Sequence, residues 1–124
     1  MGQRTLEITD VSSPLKTAFT ISRGAKTSAD TIQVTIREGE AVGRGECVPY
    51  PRYGETQTGV HAAIEARRAQ IEGGLSREAL QTAMPAGAAR CAVDCALWDL
   101  EAKLTGTPVW KLAGLPEPKP IETA

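Results

Sequence analysis

Thr5-Leu6-Glu7-Ile8-Thr9 alternates apolar and polar side chains, and Thr31-Ile32-Gln33-Val34-Thr35-Ile36-Arg37 repeats the alternation with Ile32, Val34 and Ile36 on one face. A period of two with a single apolar face predicts half-buried strands. Phe19 and Ile21 predict a further strand after a turn at Ser13-Pro14. Glu38-Gly39-Glu40 sits where a hairpin must reverse the chain into a strand over residues 41–48. The first half therefore reads as an antiparallel meander of three or four strands.

The period then changes. Val60, Ile64 and Ile71 lie at helical spacing behind a cap at Thr56 or Thr58, and Gly73-Gly74 stop that helix. Ser76 caps a short helix, with Leu75 and Leu80 placed as the two halves of a hydrophobic staple. After Pro85-Ala86-Gly87, residues 88–104 carry two apolar stripes, Val93, Leu97, Leu100 and Leu104 on one side and Cys91, Cys95 and Ala102 on another. A helix apolar over more than half its circumference is expected to be buried on two sides. Thr107-Pro108 opens a last short helix as cap and first-turn proline, and Gly114 closes it. The expected fold class is α+β, a meander followed by a helical bundle.

The run Leu115-Pro116-Glu117-Pro118-Lys119-Pro120 predicts an extended connector, and residues 121–124 look like a strand that has only begun. The expected organisation is one domain over residues 1–114 and a linker with the start of a further strand over 115–124. Such a stub fits an ordinary frayed terminus or a domain that follows, and the second reading is favoured.

Length and charge narrow the function classes. The chain has 124 residues, with 14 Lys plus Arg against 15 Asp plus Glu and a formal net charge of −1. That fits one domain and is too short for a (β/α)₈ barrel of roughly 250 residues. No basic cluster is present, which argues against nucleic acid or an anionic membrane as partner. The aromatic residues are Phe19, Tyr50, Tyr53, Trp98 and Trp110, so the core must come mostly from Ala, Val, Ile and Leu. No apolar run approaches the roughly 18 to 20 residues that span a bilayer. Cys47, Cys91 and Cys95, without a charged-then-apolar leader, point to a reducing cytoplasm.

Candidate chemistry is sparse. His61 shares a helix face with Glu65, Arg68 and Glu72, a solvated polar stripe rather than a ligand set. Cys91 and Cys95 lack the second ligand pair a tetrahedral zinc needs and read as small core residues. Asp94 and Asp99 are separated by about 140° around a helix and cannot share a substrate. Arg90 with Asp94, and Asp99 with Lys103, read as helix-surface ion pairs or interface contacts. Gly43-Arg44-Gly45 lacks the third glycine and the following helix of a dinucleotide loop. No catalytic residue and no metal ligand is expected in this chain.

Two loops remain. Arg23-Gly24-Ala25-Lys26 is a cationic, glycine-containing turn, and Pro49-Tyr50-Pro51-Arg52-Tyr53-Gly54-Glu55 is an aromatic loop stiffened by proline. A loop with restricted φ has little entropy to lose on binding, which suits Tyr50, Arg52 and Tyr53 to meeting a ligand. Covering the sheet edge explains the two tyrosines equally well.

Ala88-Ala89-Arg90-Cys91-Ala92-Val93-Asp94-Cys95-Ala96-Leu97-Trp98-Asp99-Leu100-Glu101-Ala102-Lys103, followed by Gly106-Thr107-Pro108-Val109-Trp110-Lys111-Leu112 and Gly114, resembles the helical signature of the mandelate racemase and muconate lactonizing subgroup of the enolase superfamily. The likeness extends back through Gly43-Arg44-Gly45-Glu46-Cys47 and the aromatic loop to Pro14-Leu15 and Arg23-Gly24, nearly the whole chain. Within the subgroup, the aromatic loop and Pro85-Ala86-Gly87-Ala88-Ala89-Arg90 are most similar to the L-Ala-D/L-Glu dipeptide epimerases.

The resemblance implies an enolase N-terminal-like capping domain packed on a (β/α)₈ barrel that follows it, with residues 121–124 opening the first barrel strand. It implies a Mg²⁺ held by barrel carboxylates, stabilising the enediolate formed when a proton leaves the carbon next to a substrate carboxylate, and two barrel lysines that move that proton. The two loops of this chain would then close the barrel mouth and select the far end of the substrate. Lys26 matches a position where relatives place a cation, usually Arg, against the glutamyl side-chain carboxylate. Phe19 and Tyr53 match apolar positions that cover the dipeptide, and Arg23, Tyr50 and Arg52 join them as candidate substrate-binding residues. Two departures stand out: Ala18 replaces a common Pro, and Lys26 offers a point charge rather than a bidentate fork, which loosens the demand for Glu.

The expected function is thus the capping domain of a cytoplasmic, Mg-dependent dipeptide epimerase. It would act on a small acidic dipeptide such as Ala-Glu from recycled peptidoglycan, be inert without its C-terminal barrel, and be compatible with a homo-oligomer. The alternatives are the same fold in a cycloisomerase or an epimerase for another dipeptide, and a non-enzymatic binding module.

Overall fold

Ile32, Val34 and Ile36 are all fully buried, so the alternation in the sequence is the inner face of a central strand. In the computed structural model, which describes residues 3–21 and 24–124, three antiparallel strands form one sheet in the order β1 (Arg4–Ile21), β2 (Gly24–Glu38), β3 (Ala41–Cys47). Five helices follow: α1 (Gln57–Glu65), α2 (Arg68–Glu72), α3 (Arg77–Ala83), α4 (Ala88–Thr105) and α5 (Val109–Leu112). Residues 115–124 carry neither helix nor strand and are exposed. The core lies between the sheet and the helices. Leu6, Ile32, Val34, Ile36 and Cys47 face Val60, Ile64, Ile71, Leu80 and Met84, together with Ala92, Val93, Ala96, Leu97 and Leu100 of α4.

The expected fourth strand and the Ser13-Pro14 turn are replaced by one long β1. Its pairing with β2 runs unbroken from Arg4↔Glu38 to Pro14↔Ser28, shifts, and resumes at Phe19↔Lys26. Four residues, 15 to 18, thus face Thr27 alone. Proline lacks an amide donor, but β1 is an edge strand, where that loss is tolerated. Of the turn expected at residues 23–26, Gly24, Ala25 and Lys26 pair with β1 as part of β2, and Arg23 lies outside the described residues. β3 reaches only Ile32↔Cys47, so the outer half of β1 and β2 extends beyond it as a two-stranded ribbon.

Thr56 caps α1 through its side chain, which accepts from Gly59 N–H at 3.0 Å. The single helix expected from Val60 to Ile71 is broken at Ala66-Arg67, although Val60, Ile64 and Ile71 all remain buried. Past the break, the polar stripe does more than face solvent. Arg68 donates to the Leu6 carbonyl at 2.6 Å, and Glu72 accepts the Leu6 N–H at 2.8 Å. These two side chains occupy the backbone groups of an edge strand that would otherwise invite pairing with another chain.

Ser76 caps α3 as expected, accepting from Ala79 N–H at 3.1 Å. Pro108 is itself the N-cap of α5, one place earlier than the first-turn position expected for it. α4 is buried along one seam only. Cys91 and Cys95 are exposed rather than core residues, and Leu104 is 46% exposed. The sheet takes one face of α4, and α3 lies along another, where the Arg77 guanidinium stacks 3.7 Å from the centre of the Trp98 ring and pairs with Glu101. Asp99 pairs with Lys103 at 2.8 Å as expected, but Arg90 does not pair with Asp94. Its guanidinium donates to the carbonyls of Gln81 and Met84, both at 3.3 Å, while Asp94 accepts from Gln81 at 3.1 Å.

Candidate functional site

The aromatic loop is a single 3-10 turn over Pro51–Tyr53, closed by Gly54 at φ 73°, a left-handed conformation that favours glycine. Tyr50 is tied at both backbone groups. Its N–H donates to Glu55 Oε1 at 3.0 Å, and its carbonyl accepts from Tyr53 N–H at 3.0 Å and Glu55 N–H at 3.3 Å. The rings of Tyr50 and Tyr53 lie 5.6 Å apart, tilted by 47°.

Opposite this loop stands the ribbon. Phe19 and Lys26 are direct cross-strand partners, so their side chains share a face. Lys26 Nζ lies 5.1 Å from the centre of the Tyr50 ring, within cation–π range. Phe19, Lys26, Val48, Pro49 and Pro51 line a groove of about 530 Å³ between ribbon and loop. Phe19 is 61% exposed and Tyr53 74% exposed. A second groove of about 700 Å³ opens on the other side of the loop, between Tyr50, Tyr53, Cys47 and Cys91.

Of the six expected binding residues, the structure thus brings together Phe19, Lys26, Tyr50 and Tyr53. Arg52 is exposed in the same turn but lines neither groove. Arg23 lies outside the described residues.

Sequence reading missed Glu55 as the residue that holds the site together. Gly87, the N-cap of α4, has no side chain to satisfy the first amides of the helix. Glu55 supplies the acceptor from a distance, its Oε2 taking the Ala88 N–H at 2.8 Å while Oε1 takes Tyr50. A carboxylate at a helix N-terminus is stabilised by both the free amides and the helix dipole. The signal was available in the sequence: a long helix opened by glycine must find an outside acceptor.

Two of the thiols near the site favour their protonated form. Burial, with the neighbouring Cys91 adding to it, pushes the Cys47 thiol up to about 11, so it stays protonated at neutral pH. Burial likewise raises Cys95. Asp30, on the groove wall, is held below the usual carboxylate range by hydrogen bonds from Ser12 at 2.6 Å and Ser28 at 3.0 Å, with Lys26 contributing. His61 sits away from this loop, paired with Asp10 at 2.7 Å. Among the described residues no group of three or more His, Cys, Asp or Glu could hold a metal ion. What remains is the Lys26 ammonium, with Asp30 on the same groove wall, among exposed aromatic and apolar side chains, a surface able to meet an anionic group.

Comparison with known proteins agrees with the expected fold and family. The chain matches the N-terminal domain of the mandelate racemase / muconate lactonizing enzyme family over residues 3–114. It is 45% identical over 121 residues to the L-Ala-D/L-Glu epimerase of Escherichia coli (strain K12), covering 98% of this chain and 38% of that protein. An enolase family member from Agrobacterium tumefaciens with homology to dipeptide epimerases, solved with sodium and L-Ala-L-Glu, superposes with a TM-score of 0.86 at 52% identity, over 91% of this chain and 35% of that one. A dipeptide epimerase from Enterococcus faecalis V583, solved with Mg and L-Leu-L-Tyr, superposes with a TM-score of 0.76 at 30% identity, over 90% and 34%. The chain therefore spans little more than a third of the length of these relatives.

Proposed function

This chain belongs to the mandelate racemase and muconate lactonizing enzyme family through its N-terminal domain, and we propose that it is the capping and specificity domain of a dipeptide epimerase acting on Ala-Glu or a closely similar acidic dipeptide. The observation that carries this reading is Lys26, a single ammonium held over Tyr50 at a groove walled by Phe19 and prolines. A dipeptide ending in Glu presents one side-chain carboxylate and a short apolar stem, and those are the chemistries that this groove meets.

In the same reading, residues 1–114 form the cap, residues 115–124 lead into a (β/α)₈ barrel, and the barrel supplies the Mg²⁺ and the groups that move the α-proton. The residues described here do not fit a Mg²⁺ site. This chain's part is to bind the distal end of the substrate, to close over it and to keep water away from the reacting carbon. On its own it would therefore be inert. Among the described residues no helix is long and apolar enough to cross a membrane. The free cysteines support a cytoplasmic setting, with Ala-Glu from peptidoglycan turnover as the substrate's source.

The test uses the full-length protein in D₂O with Mg²⁺ and L-Ala-L-Glu, following the glutamyl α-proton by NMR. The expected result is loss of that signal through exchange with solvent. Absence of exchange would sink the substrate assignment, and rapid exchange catalysed by residues 1–124 alone would sink the inert-cap assignment.

A further inference from the structure

We infer that Tyr50 is a positioning residue for Lys26, the ring on its anchored backbone setting where the ammonium stands, so that preference for an acidic dipeptide depends on a side chain of the opposite loop. The inference rests on the reading of Lys26 as the cation that meets the substrate carboxylate.

The argument is one of unequal anchorage. Lys26 belongs to the outer ribbon, where β2 has only β1 beside it and the pairing is irregular between Pro14 and Phe19. A two-stranded ribbon is marginal without a third strand or a packed face. A lysine also has four rotatable bonds and a compact charge that fixes no direction of its own. Tyr50 is the opposite case. Both its backbone groups are hydrogen-bonded, it lies between Pro49 and Pro51, and Glu55 ties it to the first turn of α4 in the core layer. When a pliable group and a fixed one attract each other, the fixed one sets the position. The ring therefore restrains the ammonium, which also feels Asp30 on the groove wall, before the substrate carboxylate arrives, and the entropy of ordering Lys26 need not be lost again on binding.

The ring, not the hydroxyl, is what the inference requires, and this separates it from a general structural role. In the full-length protein, Tyr50→Leu is expected to raise KM for L-Ala-L-Glu about 3- to 10-fold with kcat nearly unchanged. KM for the uncharged isostere L-Ala-L-Gln should not move, and Tyr50→Phe should behave as the parent. In a Lys26→Ala background, Tyr50→Leu should add nothing further, because the partner it positions is gone. Equal losses on both dipeptides, or full additivity with Lys26→Ala, would overturn the inference.

A readout free of substrate decides the contact itself. The Lys26 methylene protons of this chain should show an upfield ring-current shift that survives Tyr50→Phe and disappears in Tyr50→Leu. A parent chain without that shift overturns the positioning role. If the shift is present but Lys26→Ala leaves both dipeptides equally well used, the contact stands and the assignment of Lys26 to the substrate carboxylate falls.

Discussion

Gly45 meets the backbone of Ala92 so closely that a Cβ on Gly45 would overlap the Ala92 carbonyl oxygen, with the Ala96 nitrogen only 2.9 Å away. Gly43 stands in the same relation to the Ala96 carbonyl. Two strand residues advance about 6.6 Å and four helix residues about 6 Å, so the two glycines of β3 match one helical repeat of α4. The register explains why glycine is needed there. Gly43 and Gly45 sit opposite Ile36 and Val34, and their missing side chains let α4 press Ala92, Val93, Ala96 and Leu97 onto those residues.

Gly45→Ala is therefore expected to destabilise the fold by about 3 kcal/mol, because backbone on both sides must move to admit one methyl group. Urea unfolding followed by circular dichroism checks it. The midpoint should fall while the slope is unchanged. A loss of a few tenths would mean that helix and strand can part freely at this point.

The same glycines mark how far the sequence could be read. The inner face of β2 was legible because Ile32, Val34 and Ile36 alternate without interruption, and the caps at Thr56 and Ser76 were legible because their side chains act within three residues. On α4 the expected stripe of Val93, Leu97 and Leu100 is buried, whereas Leu104 and the second stripe at Cys91 and Cys95 are exposed. Composition shows two apolar stripes, but which stripe is buried depends on the smallest residues, Ala92 and Ala96, meeting glycines about 50 residues earlier. Arg68 and Glu72 were read as solvated because their partner is a backbone position of β1, which no local pattern announces. In the candidate site, the side chains of the two loops were legible and their mutual support was not. The Lys26–Tyr50 contact and the Glu55 clamp both join residues brought together only by the fold.

Glu55 is expected to be the costliest polar side chain of the site to remove. Glu55→Ala leaves the Tyr50 and Ala88 amides without their acceptor. Charge-assisted bonds of this kind are worth about 1.5–3 kcal/mol when well made. Because the site is only partly buried, a loss of about 2 kcal/mol in total is expected. Amide hydrogen exchange gives the more specific check. Tyr50 and Ala88 should lose protection in Glu55→Ala, while the amides of the β1–β2 ladder near Leu6 keep theirs. Uniform loss across the chain would show that Glu55 contributes to global stability and not to the loop in particular.

Cys47 gives the chain a pH dependence on the alkaline side. Burial raises its thiol from an ordinary 9.0 to about 11 in the folded chain. The folded state thus favours the protonated form, and the associated stability is fully present below pH 9. It is lost progressively as pH rises through 11, because the unfolded chain gains by ionising first. Unfolding midpoints measured between pH 8 and 11 should fall more steeply for the parent than for Cys47→Ala. Parallel curves would mean that the thiol ionises as readily folded as unfolded. Alkylation at pH 8 adds a check, since Cys91 and Cys95 are exposed and should react well before Cys47.

Lys26→Arg tests how the groove discriminates among acidic dipeptides. A lysine ammonium attracts a carboxylate from many directions, whereas a guanidinium pairs best when two parallel hydrogen bonds can form. The ring of Tyr50 would hold a stacked guanidinium as readily as an ammonium, so the substitution changes the geometry of recognition and keeps the charge. In the full-length protein, the ratio of kcat/KM for L-Ala-L-Glu over L-Ala-L-Asp is expected to rise about 3- to 10-fold in Lys26→Arg, since the shorter side chain cannot satisfy a fork placed for the longer one. The gain should come from weaker use of L-Ala-L-Asp as much as from better use of L-Ala-L-Glu. An unchanged ratio would show that Lys26 acts only as a diffuse attraction at the mouth of the groove and that side-chain length is read by other residues.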